Sequence, residues 1–589
     1  MKQRKICKTL AVAVILLFIG LGLQPVIADR FPIKPVRDGN TLFVGGTGEG
    51  NYSSIQDAID NASNGDTVFV YNGTYYENIL IDKSINLVGE NKSNTVIDGG
   101  GIYGFDVIHV SFDRVTISGF LIQNSGKWHM EDAGIDIRSN NNIITGNNII
   151  MNNKHGILLL YSNNNSITNN IIKWNYACGI WLIHSNNNTI SENKIFKNNQ
   201  SSGIILSESS NNSILNNNIY KNNGSGINSG DSHNNSFIDN TIISNNRIGI
   251  HFCVCNNNTI ANNTISNQSN GLWIRTSTQN RIINNYITSN NEKGIAFFDS
   301  IFNVIYNNEI FYNGDGGDGV YLDSSANNTI IENNLKDTIY LNKSNKNSII
   351  YNNISSNFFG IYIYYSNNNT ITCNNIFDNY KGLQFDNSNG NTITRNIISN
   401  KYKYYGIFLD NSRKNFISDN SFFNDGFYVL FSYENTVTNN TINDKPLIYL
   451  EDKSDITIGN AENAGQVILI NCNNISILNQ EISHTTVGIE LWDSHNCRIL
   501  YNKISNNKEG IYLFYSNDNL IQKNDFHDNE RDAFFIGGIL KGKNIWKQNY
   551  WNRPRILPKL IFGRIIIYTL VTWINIDWTP AKEPYDIDV

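Results

Sequence analysis

Residues 156–172 read GILLLYSNNNSITNNII, and residues 179–195 read GIWLIHSNNNTISENKI. The phrase returns as GIILSESSNNSILNNNI at 203–219, GIHFCVCNNNTIANNTI at 249–265, GIYIYYSNNNTITCNNI at 360–376 and GIYLFYSNDNLIQKNDF at 510–526. Gly134, Gly156, Gly179, Gly203, Gly226, Gly249, Gly271 and Gly294 recur every 22 to 24 residues. Gly319, Gly360, Gly382, Gly406, Gly488 and Gly510 keep the phase at looser spacing. A fixed period of this length is the mark of a solenoid, whose coils need no second core however long the chain grows.

Each unit holds three short apolar pieces, G-I-x-L, T-I and N-x-I. In the first, Ile and Leu point one way and the intervening residue the other. Strands of two or three residues cannot bury themselves. Stacked in register at roughly 4.8 Å per step, they make parallel sheets around an Ile/Leu/Val core. The predicted fold is all-β: a single-stranded right-handed parallel β-helix with coils of about 22–23 residues, some eighteen or nineteen coils and on the order of 90 Å long. Roughly one residue in six is Asn. Asn tolerates the left-handed backbone that inter-strand turns require, and its amide can bond to the same amide one coil away. The runs 163–165, 186–188, 256–258 and 367–369 are therefore read as structural, with Ser162, Ser185, Ser366 and Ser412 forming a parallel ladder.

The solenoid occupies residues 67–543. Before it, residues 29–66 carry an amphipathic stretch, Tyr52-SSIQDAIDNA, whose Ile55, Ala58, Ile59 and Ala62 share a face. It is expected to be a helix that plugs the open end. After residue 543 the composition shifts to Trp, Arg and Pro, so residues 544–589 are expected to form an irregular C-terminal cap. Residues 1–28 read as an export signal: Lys2 to Lys8 is basic, Leu10 to Leu23 apolar, and Val26-Ile27-Ala28 has a small residue at its end. Removing those four basic residues and no acid takes the net charge from −6 to about −10. No basic stripe marks a nucleic-acid binder. The expected product is a secreted or cell-surface monomer with no membrane span after signal cleavage. Besides Cys7 there are six cysteines, Cys178, Cys253, Cys255, Cys373, Cys472 and Cys497, on different coils and without CxxC pairing, which signals neither a disulfide framework nor a zinc ribbon.

Residues 54–90, SIQDAIDNASNGDTVFVYNGTYYENILIDKSINLVGE, resemble the N-terminal coils of pectin-lyase-like proteins. The GI-x-L…SNNNTI…N-x-I units resemble the NosD/CASH-type repeats of exported archaeal and bacterial proteins, and residues 549–586 resemble the end cap of archaeal members. The resemblance implies the β-helix fold over residues 40–589 and says little about activity, because one fold hosts many functions. Enzymes it brings into view are polysaccharide lyases, hydrolases and uronate epimerases. The adjacent Asp pair, the Gly-His-Gly turn and the Asp-Pro-His-Asp motif of such enzymes are absent here. Asp323, Asp386 and Asp410 share one outward repeat position, on separate coils, and are read as solvated.

Two metal readings are open. Gly314-Asp-Gly-Gly-Asp-Gly319 offers Asp315 and Asp318, with Asp323 nearby, as oxygen ligands for calcium; its plainer reading is a turn insertion. The NosD name is tied to copper-enzyme maturation, and His251, Cys253 and Cys255 alternate along one strand and so are expected to face one side, as a copper site requires. Same-face neighbours sit about 6.8 Å apart, wide for joint ligation.

The stronger signal is aromatic. Counted from the repeat glycines, outward positions carry Trp181, Trp273, Tyr321, Tyr362, Tyr364, Phe408, Tyr428, Trp492, Tyr512 and Phe514. Rows of rings interleaved with Asp, Asn and Gln suit a polysaccharide or cell-envelope glycan, whose C–H faces stack while its hydroxyls take hydrogen bonds. The alternative is that aromatics merely favour exposed strands. The expected role is a carbohydrate-binding or structural surface protein without catalysis; the runners-up are a polysaccharide-processing enzyme with an unfamiliar site and a NosD-like copper-associated factor.

Overall fold

A computed structural model describes residues 39–101, 105–314, 317–400, 404–538, 543–566 and 570–587. The expected export signal (residues 1–28) and Asp315 lie outside the described residues. The chain is a right-handed parallel β-helix of about 22 turns. That exceeds the eighteen or nineteen expected, because strands such as Ile79–Ile81, Ile108–Val110, Thr338–Asn342 and Lys445–Glu451 join the stack without a repeat glycine.

One coil shows how the sequence builds it. His155–Leu160, Ser166–Thr168 and Ile171–Lys173 are its three strands, and the next coil repeats them as Ile180–Ile183, Thr189–Ser191 and Lys194–Phe196. Pairing is parallel and in register: Ile157 faces Ile180, Ile167 faces Ile190 and Ile172 faces Ile195. All six are fully buried, which places the alternating Ile and Leu in one axial core. The repeat glycine is there for close approach. A Cβ on Gly179 would lie 2.5 Å from Ile195 Cγ2 and 2.6 Å from the Gly203 carbonyl oxygen.

The corners are held by side chains. Asn165 and Asn188, Asn170 and Asn193, and Asn175 and Asn198 belong to three ladders in which each Oδ1 accepts the backbone N–H of the Asn one coil earlier, at 2.8, 2.9 and 3.2 Å in these pairs. The amide nitrogens of Asn165, Asn170, Asn175, Asn188 and Asn193 then return to a backbone carbonyl, as Asn170 Nδ2 does to Ile144 at 2.8 Å. Buried backbone groups at the bends are thereby satisfied. Ser162, Ser185 and Ser209 form the fourth ladder.

The first sheet runs through sixteen strands, from Ile79–Ile81 to Phe427–Leu430. There the stack is interrupted. Asn443 and Asp444, both with positive φ, reverse the chain, and Lys445–Glu451 pairs antiparallel with Thr441–Ile442. The exposed edge of Phe427–Leu430 is covered by side chains from later coils: Gln466 bonds both the N–H and the carbonyl of Phe427, and the Glu490 carboxyl accepts from Val429 N–H. Burial raises the Glu490 carboxyl well above the usual range.

Both ends are closed. Helix α1, Ile55–Asn61, buries Ile55, Ala58 and Ile59, is N-capped by Ser54, and has its first N–H groups bonded by Glu77. At the other end Lys559–Ile566 and Leu570–Asp577 form an antiparallel hairpin. The buried Asp577 carboxylate terminates an Asn ladder by accepting from Asn549 N–H and from Trp551 Nε1, and Trp551 stacks on Phe526 at 4.4 Å.

Candidate functional site

Outward side chains of the first sheet form three tracks along the rod. Two residues after the repeat glycine, register partners in order are Trp273, Ala296, Tyr321, Tyr340, Tyr362, Gln384 and Phe408. Two residues further on come Arg275, Phe298, Asp323, Asn342, Tyr364, Asp386 and Asp410. On the other flank, Phe359, Lys381 and Tyr405 align.

Rings contact one another along the whole stretch. Trp273 stacks on Phe298 at 4.3 Å and Tyr340 on Tyr362 at 4.8 Å. Tyr321 lies across the row, at 57° to Phe298 and 67° to Tyr340. Phe359 stacks on Tyr362 at 4.9 Å, and Tyr405 meets Phe408 at 5.1 Å. Stacked rings cover each other's faces, so this surface presents ring edges, phenol hydroxyls and a few tilted faces. Burial pushes the Tyr340 phenol up to about 12, so it stays a proton donor. Tyr362 donates to Asp386 at 2.6 Å, and Gln384 Nε2 donates to the same carboxylate at 2.9 Å. Lys381 Nζ donates to Gln384 Oε1 at 2.9 Å, and burial lowers its pKa. Asp410, the register partner of Asp386, has its carboxyl raised by burial and then by Asp386.

The structure divides the aromatic positions read from the sequence. Trp273, Tyr321, Tyr362, Tyr364 and Phe408 sit together and partly exposed. Trp181 is separated from them by Ile205, Asn228 and His251, and its indole donates to Ser207 Oγ at 3.1 Å. Tyr428, Tyr512 and Phe514 are 9, 5 and 4 % exposed and form a covered cluster where the later coils close over the first sheet. Trp492 packs beside that cluster, parallel to Tyr433. Sequence reading missed Phe298, Tyr340, Phe359, Lys381 and Tyr405. Tyr340 sits on a short coil whose glycine position is Thr338, so only the Ile339/Leu341 alternation pointed to it.

The metal expectations fare unevenly in geometry. His251 and Cys253 face outward, with His251 Nδ1 2.9 Å from Asn228 Oδ1. Cys255 turns inward, fully buried, and takes a ladder-serine position: its N–H donates to Ser277 Oγ and its thiol to the Ser229 carbonyl. Of the calcium candidates, Asp318 pairs with Lys293 at 2.9 Å, and Asp323 accepts from Tyr321, Ser324 and Asn342.

A second polar centre lies on the first coils, where no repeat glycine guided the reading of His109. Asp136 stands at the outward position after Gly134 and is the register partner of His109. His109 Nδ1 lies 3.0 Å from Asp136 Oδ2 and 3.5 Å from Asp106 Oδ2. These carboxylates, Asp106 foremost, hold the imidazole pKa up to about 9. Arg138 spans Asp136 and Glu131 at 2.8 and 2.9 Å. A cleft of about 360 Å³ lined by Asp106, His129, Met130, Glu131, Asp132 and Arg138 adjoins it.

The right handed beta helix region family matches residues 48–202, 100–252, 230–338 and 315–442, together more than half of the chain. The chain belongs to the right-handed β-helix family. A second family, described as periplasmic copper-binding protein (NosD), matches residues 381–563 of this β-helix protein. Among the described residues of that stretch, the thiols of Cys472 and Cys497 donate to backbone carbonyls, and the His, Cys, Asp and Glu donors that converge in a group of three, Asp106, His109 and Asp136, lie outside it. No curated protein matches the chain. Solved structures do. DFA-IIIase from Arthrobacter chlorophenolicus A6 without its lid is 14 % identical over 53 % of this chain and 95 % of that one, with a TM-score of 0.38. The Dettilon tailspike protein is 13 % identical over 66 % and 68 %, with a TM-score of 0.35. The A-module of the Azotobacter vinelandii mannuronan C-5 epimerase AlgE4 is 15 % identical over 68 % and 99 %, with a TM-score of 0.28. Among the described residues, no helix is long and apolar enough to cross a membrane.

Proposed function

We propose that this β-helix protein binds an extended carbohydrate chain along the outward face of its first sheet, between Trp273 and Phe408. The observation that carries the reading is the pairing of tracks: six of the seven coils offer a ring or amide beside a hydrogen-bonding group, and the Ala296/Phe298 coil a ring alone, at the roughly 4.8 Å repeat of parallel strands. That step is close to one sugar ring in an extended polymer. Ring edges and tilted faces cover C–H surface, while Asp323, Asn342, Tyr364, Asp386 and Asp410 meet hydroxyls. The leader pattern of residues 2–28 supports action outside the cytoplasm, and sequencing the mature N-terminus should find a start near Asp29.

The test is affinity electrophoresis of the mature chain through gels containing neutral or acidic polysaccharides. Retardation by one glycan, relieved in Trp273→Ala/Tyr340→Ala, is the expected result. Unchanged migration in every gel would remove carbohydrate binding. One observation favours a second, hydrolytic reading: Asp386 and Asp410 are register neighbours, and the Asp410 carboxyl is raised, as a general acid beside a second carboxylate would be. Cleared polymer around the band, lost in Asp410→Asn, would establish that reading instead.

A further inference from the structure

We propose that Asp106, His109 and Asp136 form a binding site for a divalent transition-metal ion of the zinc type. The fold brings the donors together without a loop search. His109 and Asp136 are register partners on adjacent parallel strands and project from the same side of the sheet. Asp106, three residues before His109, is fixed by the Ala133 N–H, which donates to its Oδ1 at 2.8 Å.

Distances fit a small ion. One donor atom from each residue lies within 4.8 Å of the other two, and the two contacts to His109 Nδ1 are 3.0 and 3.5 Å. Donors bound at about 2.1 Å around a tetrahedral ion stand about 3.4 Å apart. His109 therefore already sits at ligand spacing from both carboxylates, and a small rotation of Asp106 closes the set.

Asp136 supplies the independent sign of a missing ligand. Its side chain is fully buried. Oδ2 is approached by both His109 and Arg138, yet Oδ1 is buried without a hydrogen-bond partner. A purely structural His–Asp–Arg network leaves that oxygen unsatisfied, at a desolvation cost buried acceptors rarely bear. A cation held by both oxygens of the Asp136 carboxylate satisfies it while Arg138 keeps its contact with Oδ2. Arg138, tied in turn to Glu131, then acts as the outer partner that fixes the carboxylate's orientation. One imidazole and two carboxylates select zinc-like ions over calcium and magnesium, which take oxygen alone. The adjoining cleft leaves room for a further exchangeable ligand. The site is six strands from Trp273, so it stands or falls apart from the carbohydrate face.

The experiment is Co²⁺ titration of the chelator-stripped mature chain, followed by visible absorption and by Zn²⁺ competition. One equivalent of Co²⁺ should bind with the d–d bands of a low-coordinate N/O site and be displaced by Zn²⁺. His109→Gln and Asp106→Asn, neither of them in the core, should each weaken binding by about 100-fold while the sheet circular dichroism is kept. Absence of saturable binding, or binding unchanged in His109→Gln, would overturn the proposal.

Discussion

In the turn Asn186–Asn188 three adjacent asparagines hold different positions in the hydrogen-bond pattern. Asn186 accepts the Ser210 N–H from the next coil at 2.7 Å. Asn187 is exposed and takes the left-handed conformation, with φ 58°. Asn188 is fully buried, accepts the Asn165 N–H and donates to the Ser162 carbonyl. Asn188→Ala should therefore lower stability by about 1–3 kcal/mol for the orphaned N–H. Asn187→Gly should be neutral or slightly stabilising, because glycine adopts positive φ freely. Urea midpoints of the two variants check the difference. A ladder that ends in an acid behaves differently. Asp425 accepts from Asn400 at the end of one ladder, and burial pushes its carboxyl up to about 7. Its unfolded value lies near 3.9, so the folded chain holds a proton that the unfolded chain has lost between those pH values. Stability must fall as pH rises from about 4 to about 7. Asp425→Asn should leave the stability near pH 4 unchanged and raise it at pH 8 by up to about 4 kcal/mol. Denaturation curves at the two pH values measure this directly. The Asn runs were readable as corner residues, but their division of labour was not, since identical letters occupy the exposed and buried positions.

At the scale of the element, the glycine-initiated strand was the legible part and the interruption was not. Counting from each glycine placed Trp273, Tyr321, Tyr362 and Phe408 on one face, because strand periodicity is local and survives copying from coil to coil. The same counting assigned Tyr428 and Tyr512 to that face, but only Tyr428 belongs to the first sheet; Tyr512 lies on the sheet of the later coils and packs with Tyr428 in the covered cluster, which counting from a glycine could not show. That cover depends on the Asn443–Asp444 reversal, a two-residue event inside an otherwise regular repeat. The His109 centre was hidden for a related reason: Asp136 follows a repeat glycine, whereas His109 follows Val107-Ile108 on a coil without one. The glycine itself has a testable role. Gly179→Ala would drive a methyl against Ile195 and the Gly203 carbonyl, and should cost about 1–3 kcal/mol by overpacking. A calorimetric melt should show it, and pairing with Ile195→Leu, which removes the Cγ2 methyl, should recover part of the loss.

For the whole molecule, the repeat that makes the rod also makes its surface periodic. A solenoid of near-identical coils repeats whatever its outward positions carry, and between Trp273 and Phe408 seven consecutive coils carry groups suited to sugar. A pocket would recognise one or two sugar units; a ladder recognises length. Calorimetric affinity for oligosaccharides of increasing length, taken from whichever glycan retards the chain, separates the two. Affinity should rise with each added sugar to about seven units, with the gain shortened in Trp273→Ala/Tyr340→Ala. Affinity that levels off at two or three units, or that is identical in the double variant, would contradict a binding face spread along the rod.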